Sequence, residues 1–336
     1  MTSTSIPHIN EQIQELRTLG VLFDDTERVN IVRFLSENTY YEKLRTYLGN
    51  NPDHLEQPRI TFAELVELSR IDFRLSRQVL TLSLSIEHAL KLRIIPLILN
   101  SQELLLSKCL DKIDDEQKQK AAGKKTRSRL PSEQLIKTTP YSRSYLNNNS
   151  DNDDSGRQKT VRECSLWELF ETQSFWFILE LYKASCSIAQ EEPAVPFELL
   201  ESVKNLRNAA SHGNCLLAKT TSVAHQEGDA CQLSEEMPEL FPTPSPLQQL
   251  STSETTYLSP ILLHDFCALL YCHRSFVSSQ RMRAHSFEEL GVLATRIDEA
   301  KQLLQKEPAE DSQFRREISS TLGFLLLTID HFIKGN

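Results

Sequence analysis

The stretch "TFAELVELSRIDFRLSRQVLTLSLSIEHALKLRI", residues 61–94, decides the fold class. Apolar side chains at Phe62, Leu65, Val66, Phe73, Val79, Leu80, Ile86 and Leu90 keep helical spacing as far as the Pro96 region, with a break allowed for near Arg70. Thr61 followed by Glu64 reads as a capping box: the hydroxyl accepts from an early backbone N–H and the carboxylate reaches back to the cap. Glu87 and Lys91 add a favourable i,i+4 pair on the same helix.

The same opening recurs outward from this stretch, as "SLWE" at 165 and "SFEE" at 286. Further helices are expected at 8–19, 26–37, 40–48, 101–120, 166–189, 197–211, 259–280, 287–306 and 311–334. Alternating runs bounded by Asn-Gly or Asp-Gly turns are nearly absent, so the expected fold is all-α.

Composition narrows the function classes. Only 9 glycines in 336 residues disfavours Rossmann-type and barrel folds, which need many tight turns. A formal net charge of −9 excludes a uniformly basic nucleic-acid coat, so any RNA contact has to be local. The seven cysteines are scattered without a Cys-x-x-Cys, which suits free thiols in a reducing compartment. The start shows no basic stretch leading into an apolar core, and "LKLRIIPLILN" is too short to span a bilayer. A cytoplasmic protein without a membrane partner is expected.

Two stretches differ from the rest. Residues 121–162, with "GKKTRSRLPSEQ" and "LNNNSDNDDSGRQK", are polar and rich in turn formers. Residues 219–257 carry prolines too densely for a helix. Both read as long polar loops inserted between helices. Lys120, Lys124, Lys125, Arg127 and Arg129 form a basic cluster at the first, either a solvated loop or an arm that attracts phosphate.

"KNLRNAASHGNCLL", residues 204–217, carries the chemistry. Phe197, Leu200, Val203, Leu206 and Ala210 make an apolar stripe after Pro196, and Gly213 can close the helix in the left-handed conformation. At about 100° per residue, Arg207 and His212 stand roughly 140° apart, whereas Asn208 and His212 share a face. One phosphate is therefore not cradled by Arg207 and His212 on a continuous helix. Either the backbone departs from helix near Gly213, or a second chain completes the site. Imidazole relays protons near neutral pH, and guanidinium forks onto phosphate oxygens. Asn208 can fix the histidine tautomer or position a ribose. The plain alternative is a cationic helix end interacting with the carbonyl end of the dipole.

Other groups have simpler readings. Glu168 and Glu171 resemble helix caps and surface charges, and Trp167 and Trp176 read as core aromatics rather than base-stacking platforms. His264, Cys267, Cys272 and His273 lie on one helix without zinc-ligand spacing, and no metal is assigned. There is no Gly-rich phosphate loop and no nucleophile elbow.

Four blocks in order carry a family resemblance: "LRTLGVLFDDTERVNIVRFLSENTYYEKLRTYL", the 62–94 helix with Asp72-Phe-Arg-Leu-Ser-Arg77 and Ile86-Glu-His-Ala-Leu-Lys91, "SLWELFETQSFWFILELY", and "LRNAASHGNCLL". Together, over about residues 15–217, they resemble the Abi-like (AbiD/AbiF-type abortive infection) family of the HEPN superfamily. The resemblance implies a HEPN-like antiparallel helical bundle with additional N- and C-terminal helices. Residues 1–60 would pack on a core of 61–283, and 284–336 would form a C-terminal helical hairpin. It implies a metal-independent endoribonuclease without cofactor, whose Arg207, Asn208 and His212 match the Arg-x4-6-His motif. RNA would be cut by 2′-hydroxyl attack, leaving 2′,3′-cyclic phosphate ends.

Members usually work as homodimers with a composite active site, in phage defence or as toxins, so an antitoxin or a phage-derived trigger is an expected partner. RNA-guided CRISPR ribonucleases use related domains. Glu87, Lys91, Lys124, Lys125, Arg127 and Arg129 are the further candidates for RNA contact. The chain departs from the family pattern in the 121–162 insertion, in Phe73-Arg74, and beyond residue 217. The alternatives are a catalytically inactive module that binds RNA or a protein, and a helical scaffold in which the Arg–His pair only caps a helix.

Overall fold

The computed structural model describes residues 8–38, 41–48, 59–99, 105–122, 129–137, 139–142, 145, 159–218, 260–306 and 313–334. Among these residues the fold is all-α. The helices are α1 (Ile9–Thr18), α2 (Arg28–Glu37), α3 (Tyr41–Leu48), α4 (Phe62–Leu99), α5 (Leu105–Ala121), α6 (Leu166–Thr172), α7 (Phe175–Ala189), α8 (Phe197–Ser211), α9 (Pro260–Phe276), α10 (Gln280–Lys306) and α11 (Gln313–Lys334). Two-residue strands β1 (Val21–Leu22) and β2 (Ile60–Thr61) pair in parallel. The expected 219–257 loop lies outside the described residues.

The capping box at α4 forms as expected. Thr61 N–H donates to Glu64 Oε2 at 2.8 Å, and Glu64 N–H donates to Thr61 Oγ1 at 3.2 Å. The helix runs unbroken past Arg70, because no glycine or proline precedes Pro96 and Leu68, Ile71 and Leu75 anchor that turn in the core. Pro96 withdraws one backbone donor only in the last turn of the helix, three residues before its end.

Two boundaries depart from the sequence reading. The single helix expected at 166–189 is two: Gln173 is extended, and Ser174 Oγ accepts from Phe177 N–H at 3.4 Å to start α7. The box at Ser286 does not open a helix. α10 begins at Gln280, where Ser279 Oγ accepts from Met282 N–H at 3.4 Å, and Ser286 is buried mid-helix. A Ser-x-x-Glu spacing initiates a helix only if the chain upstream is not already helical.

The chain divides into two compact units, Met1–Leu82 with Asn205–Tyr271 and Ser278–Asn336, and Ser83–Lys204 with Cys272–Val277. In the first, Ile13 and Leu16 of α1, Ile31 of α2, Leu44 and Tyr47 of α3 and Leu65 of α4 join one apolar core. Leu304, Phe314 and Ile318 of α10 and α11 pack against it. Within this core Arg315 grips Glu64 with both nitrogens, at 2.6 and 3.3 Å, and donates to the Leu304 carbonyl at 2.7 Å. Glu64 thus caps α4 and neutralises an arginine from α11, with both side chains shut off from water.

In the second unit α5 packs on α7, with buried Cys109 Sγ 3.6 Å from Ser185 Oγ and the Lys183 ammonium 3.6 Å from Glu116. Tyr182 meets Phe197 and Phe276 edge-on, at 6.0 and 5.9 Å between ring centroids. The 121–162 insertion is not simply a solvated loop, because its two ends are tied down. Ile136 N–H donates to the Lys159 carbonyl at 3.0 Å, and Val161 N–H to the Gln134 carbonyl at 2.9 Å. Buried Asp114 accepts from Ser132 N–H at 3.0 Å and from Arg162 at 3.2 Å, and Arg162 also reaches Asp111 at 2.7 Å. Trp167 is not core: it stands 57% exposed, its ring roughly perpendicular to that of Phe170 at 6.0 Å between centroids.

Removing one member of a buried ion pair leaves the other charge without compensation. Arg315→Ala is expected to lower unfolding stability by about 3–5 kcal/mol, read as a fall in the urea midpoint. Glu64→Leu combined with Arg315→Met is expected to recover most of that loss.

Candidate functional site at the end of α8

α8 buries Leu206 and Ala210 and presents Arg207, Asn208, Ser211 and His212 around its last turns. Its closure is well defined. His212 N–H donates to the Asn208 carbonyl at 3.0 Å, Gly213 N–H to Ala210 at 3.1 Å, and Asn214 N–H to Ala209 at 3.0 Å. With Gly213 at φ +69° this is the Schellman closure, which puts His212 at the C-cap. Helical geometry therefore holds up to His212, and the backbone turns away one residue too late to swing the imidazole toward Arg207. The angle of roughly 140° between the two side chains persists.

Arg207 is half-buried and donates from Nη1 to Asn208 Oδ1 at 3.2 Å. Asn208 thus holds the guanidinium, not the imidazole that its i,i+4 spacing suggested. The His212 ring is exposed, and among the described residues it makes no side-chain hydrogen bond or ion pair. Structure brings Arg207 and Asn208 together and leaves His212 facing solvent.

The chain beyond Gly213 is fastened by a residue that spacing arguments overlooked. Asp72, inaccessible to water, accepts from Leu217 N–H at 2.8 Å and from the Tyr47 hydroxyl at 2.8 Å. Burial pushes its carboxyl above the ordinary value of 3.8, against the opposing pull of those two bonds and of Lys43. The signal was present in the sequence: Leu68, Asp72, Leu75 and Val79 form one inward stripe, with a carboxylate where an apolar residue is expected. Leu216 and Ala218, flanking the tethered amide, are buried.

The remaining candidates separate clearly. Glu87 and Lys91, in the second unit, pair at 3.3 Å as the i,i+4 spacing predicts. Lys124, Lys125 and Arg127 lie outside the described residues, Arg129 is exposed, and Lys120 approaches buried Glu180 at 4.0 Å. Glu168 is committed to the Ser165 cap, which donates at 2.7 Å, and to Lys159 at 2.9 Å. No group of three or more His, Cys, Asp or Glu among the described residues is arranged to hold a metal ion. No described helix is long and apolar enough to cross a membrane.

Residues 28–218 match the family described as Abi-like protein. The chain belongs to that family. No curated protein and no solved structure matches it. The matched segment takes in α2 through α8, with Tyr47, Asp72, Arg207, Asn208, His212 and Leu217, and leaves out α1 and α9–α11.

Two outcomes follow from this geometry. A Cβ at Gly213 meets nothing within 4 Å, so Gly213→Ala is strained only by its positive φ. The expected loss is about 1 kcal/mol, with Gly213→Asn costing less; paired urea titrations measure both. The Asp72 carboxyl binds its proton more tightly in the folded state, so its contribution to stability is complete below 3.8 and is lost as pH rises through the raised value. Asp72→Asn should remove that component, and the difference in unfolding free energy, variant minus parent, should move upward as pH rises through the window.

Proposed function

We propose that this Abi-like protein is a metal-independent endoribonuclease of the HEPN type that acts in abortive infection or as a toxin. Arg207, Asn208 and His212 carry the reaction. The observation behind this reading is the C-cap of α8: an imidazole open to solvent at the end of the helix that carries a guanidinium braced by an amide. Membership of the Abi-like family supports it.

His212 takes the proton from a ribose 2′-hydroxyl, and the oxygen attacks the adjacent phosphorus. The bond to the 5′-oxygen breaks, and that oxygen leaves with a proton. The products are a 2′,3′-cyclic phosphate and a 5′-hydroxyl, with no change of oxidation state. Arg207 forks onto the non-bridging oxygens as charge builds there, and Asn208 keeps its guanidinium in place.

Because Arg207 and His212 diverge on one helix, the reading requires a homodimer with a composite site. The Arg207 of one copy then faces the His212 of the other, and that imidazole passes the proton it takes from the 2′-hydroxyl on to the leaving 5′-oxygen. Neither step calls on a metal. Regulation by an antitoxin or a phage-derived trigger belongs to the same reading.

Purified protein incubated with total RNA in EDTA is expected to generate cyclic-phosphate and 5′-hydroxyl ends. His212→Ala and Arg207→Ala should each abolish them while helical circular dichroism is unchanged; cleavage persisting in both overturns the mechanism. Mixing the two inactive variants should restore part of the activity through mixed dimers, whereas a single-chain site would stay dead. RNA retention without cut ends would instead identify a binding module.

A further inference from the structure

A second surface of the first unit has the chemistry of a nucleic-acid site and lies apart from the α8 end in sequence. Between α2 and the first turns of α4 is a cleft of about 320 Å³. Its floor is apolar, with Phe34 and Phe62 edge-to-face at 5.8 Å over buried Ile31 and Val66. Its rim is polar: Asn30 and Asn38 offer amides, and Arg33 and Arg70 offer guanidiniums.

Beyond the cleft, whose lining ends at Arg70, the exposed face of α4 carries on in the same chemistry. At about 100° per residue, Arg70, Phe73, Arg74 and Arg77 fall within an arc of roughly 100° on α4, and all four side chains are exposed. The Phe73 ring is 58% exposed, with the Arg77 guanidinium 6.0 Å from its centroid. Among the described residues Arg33, Arg74 and Arg77 have no carboxylate partner, and only Arg70 is paired, to Glu67 at 3.1 Å. Four arginines thus stand near three carboxylates, Glu27 of the cleft, Glu37 one turn after Arg33 on α2, and Glu67, on a chain whose net charge is −9. A local excess of guanidinium on an acidic protein attracts phosphate, and an open aromatic ring between arginines attracts a base.

We propose that the α2–α4 cleft and its continuation over Phe73, Arg74 and Arg77 bind single-stranded RNA. Arg33 and Arg70 hold a phosphate at the cleft, Phe73 stacks an unpaired base, and Arg74 and Arg77 hold the following phosphates. A strand rather than a duplex is required, because the Phe73 face is usable only by a base free of its own stack. The surface is tied to the α8 end by Asp72, which neighbours Phe73 and grips Leu217 just beyond His212. The assignment of RNA as ligand rests on the ribonuclease reading.

Its test is equilibrium binding, not cleavage. Full-length His212→Ala protein is titrated against a short fluorescein-labelled single-stranded RNA of mixed sequence, and anisotropy is followed over a range of salt. Adding Phe73→Ala should weaken binding about five- to tenfold, and Phe73→Tyr should restore it. Adding Arg74→Ala with Arg77→Ala should lower the slope of log affinity against log salt by about 1.4, at about 0.7 per phosphate contact on a single strand. Arg33→Ala should weaken binding likewise. Undiminished binding in all these variants, or no binding by the His212→Ala parent, overturns the proposal. Absence of cyclic-phosphate ends with the wild-type chain would remove the ribonuclease reading while leaving Phe73-dependent RNA binding to stand.

Discussion

The Asp72 carboxylate, with no access to water, joins three parts of the first unit that are remote in sequence. It sits on α4 and accepts hydrogen bonds from the Tyr47 hydroxyl of α3 and from the backbone N–H of Leu217 beyond α8. An isolated buried carboxylate costs several kcal/mol, and hydrogen bonds to both oxygens offset that cost only if their donors are in place together. The burial therefore selects an arrangement in which α3, α4 and the 213–218 segment are all set. The end of α8 inherits its position from that selection: Gly213 turns the chain, and Leu216 and Ala218 then enter the core on either side of the tethered amide.

This has a consequence for chemistry at His212. The carbonyl end of a helix is a poor place for an anion, because the dipole there is negative. The Schellman closure occupies two of those carbonyls with Gly213 and Asn214 N–H groups, which reduces the repulsion without reversing it. A phosphate at this end needs cations from side chains, and Arg207 points elsewhere by roughly 140°. A second copy is the economical source of the missing guanidinium. The same electrostatics favour strand binding on an arginine-rich surface such as that of α4, whose exposed face has no helix end to oppose it.

Local signals were legible in the sequence and long-range ones were not. Thr61 with Glu64 and Ser165 with Glu168 cap helices because each box is made within one turn. Gly213 was readable for the same reason. Ser286 with Glu289 has the same letters and fails, since Ser279 had already started the helix and a local pattern carries no memory of its upstream turn. Glu64 with Arg315 spans 251 positions and Asp72 with Leu217 spans 145, and no periodicity encodes a partner at such range. Asn208 shows the limit within a single turn: i,i+4 spacing allowed His212, but the adjacent guanidinium, always charged, is the stronger donor for an amide oxygen. Trp167 was misread because aromatic content in an apolar helix says nothing of which side it faces.

The two buried carboxylates of α4 differ in where their partners lie relative to the Abi-like match. Both ends of the Asp72 tie fall inside residues 28–218, whereas Glu64 lies inside and Arg315 outside. The matched segment is thus sufficient to fasten the end of α8 but not to neutralise the cap of its own longest helix. α11 supplies that charge, and α10 supplies the Leu304 carbonyl that holds the arginine. A chain cut at 218 would keep the Arg207–Asn208–His212 turn in sequence while stripping Glu64 of its arginine and of part of its apolar cover, leaving only the Thr61 cap at the start of the helix that carries Asp72. The C-terminal helices therefore act on the candidate site through α4: they stabilise the scaffold whose inward face holds the chain beyond His212 and whose outward face presents Phe73, Arg74 and Arg77.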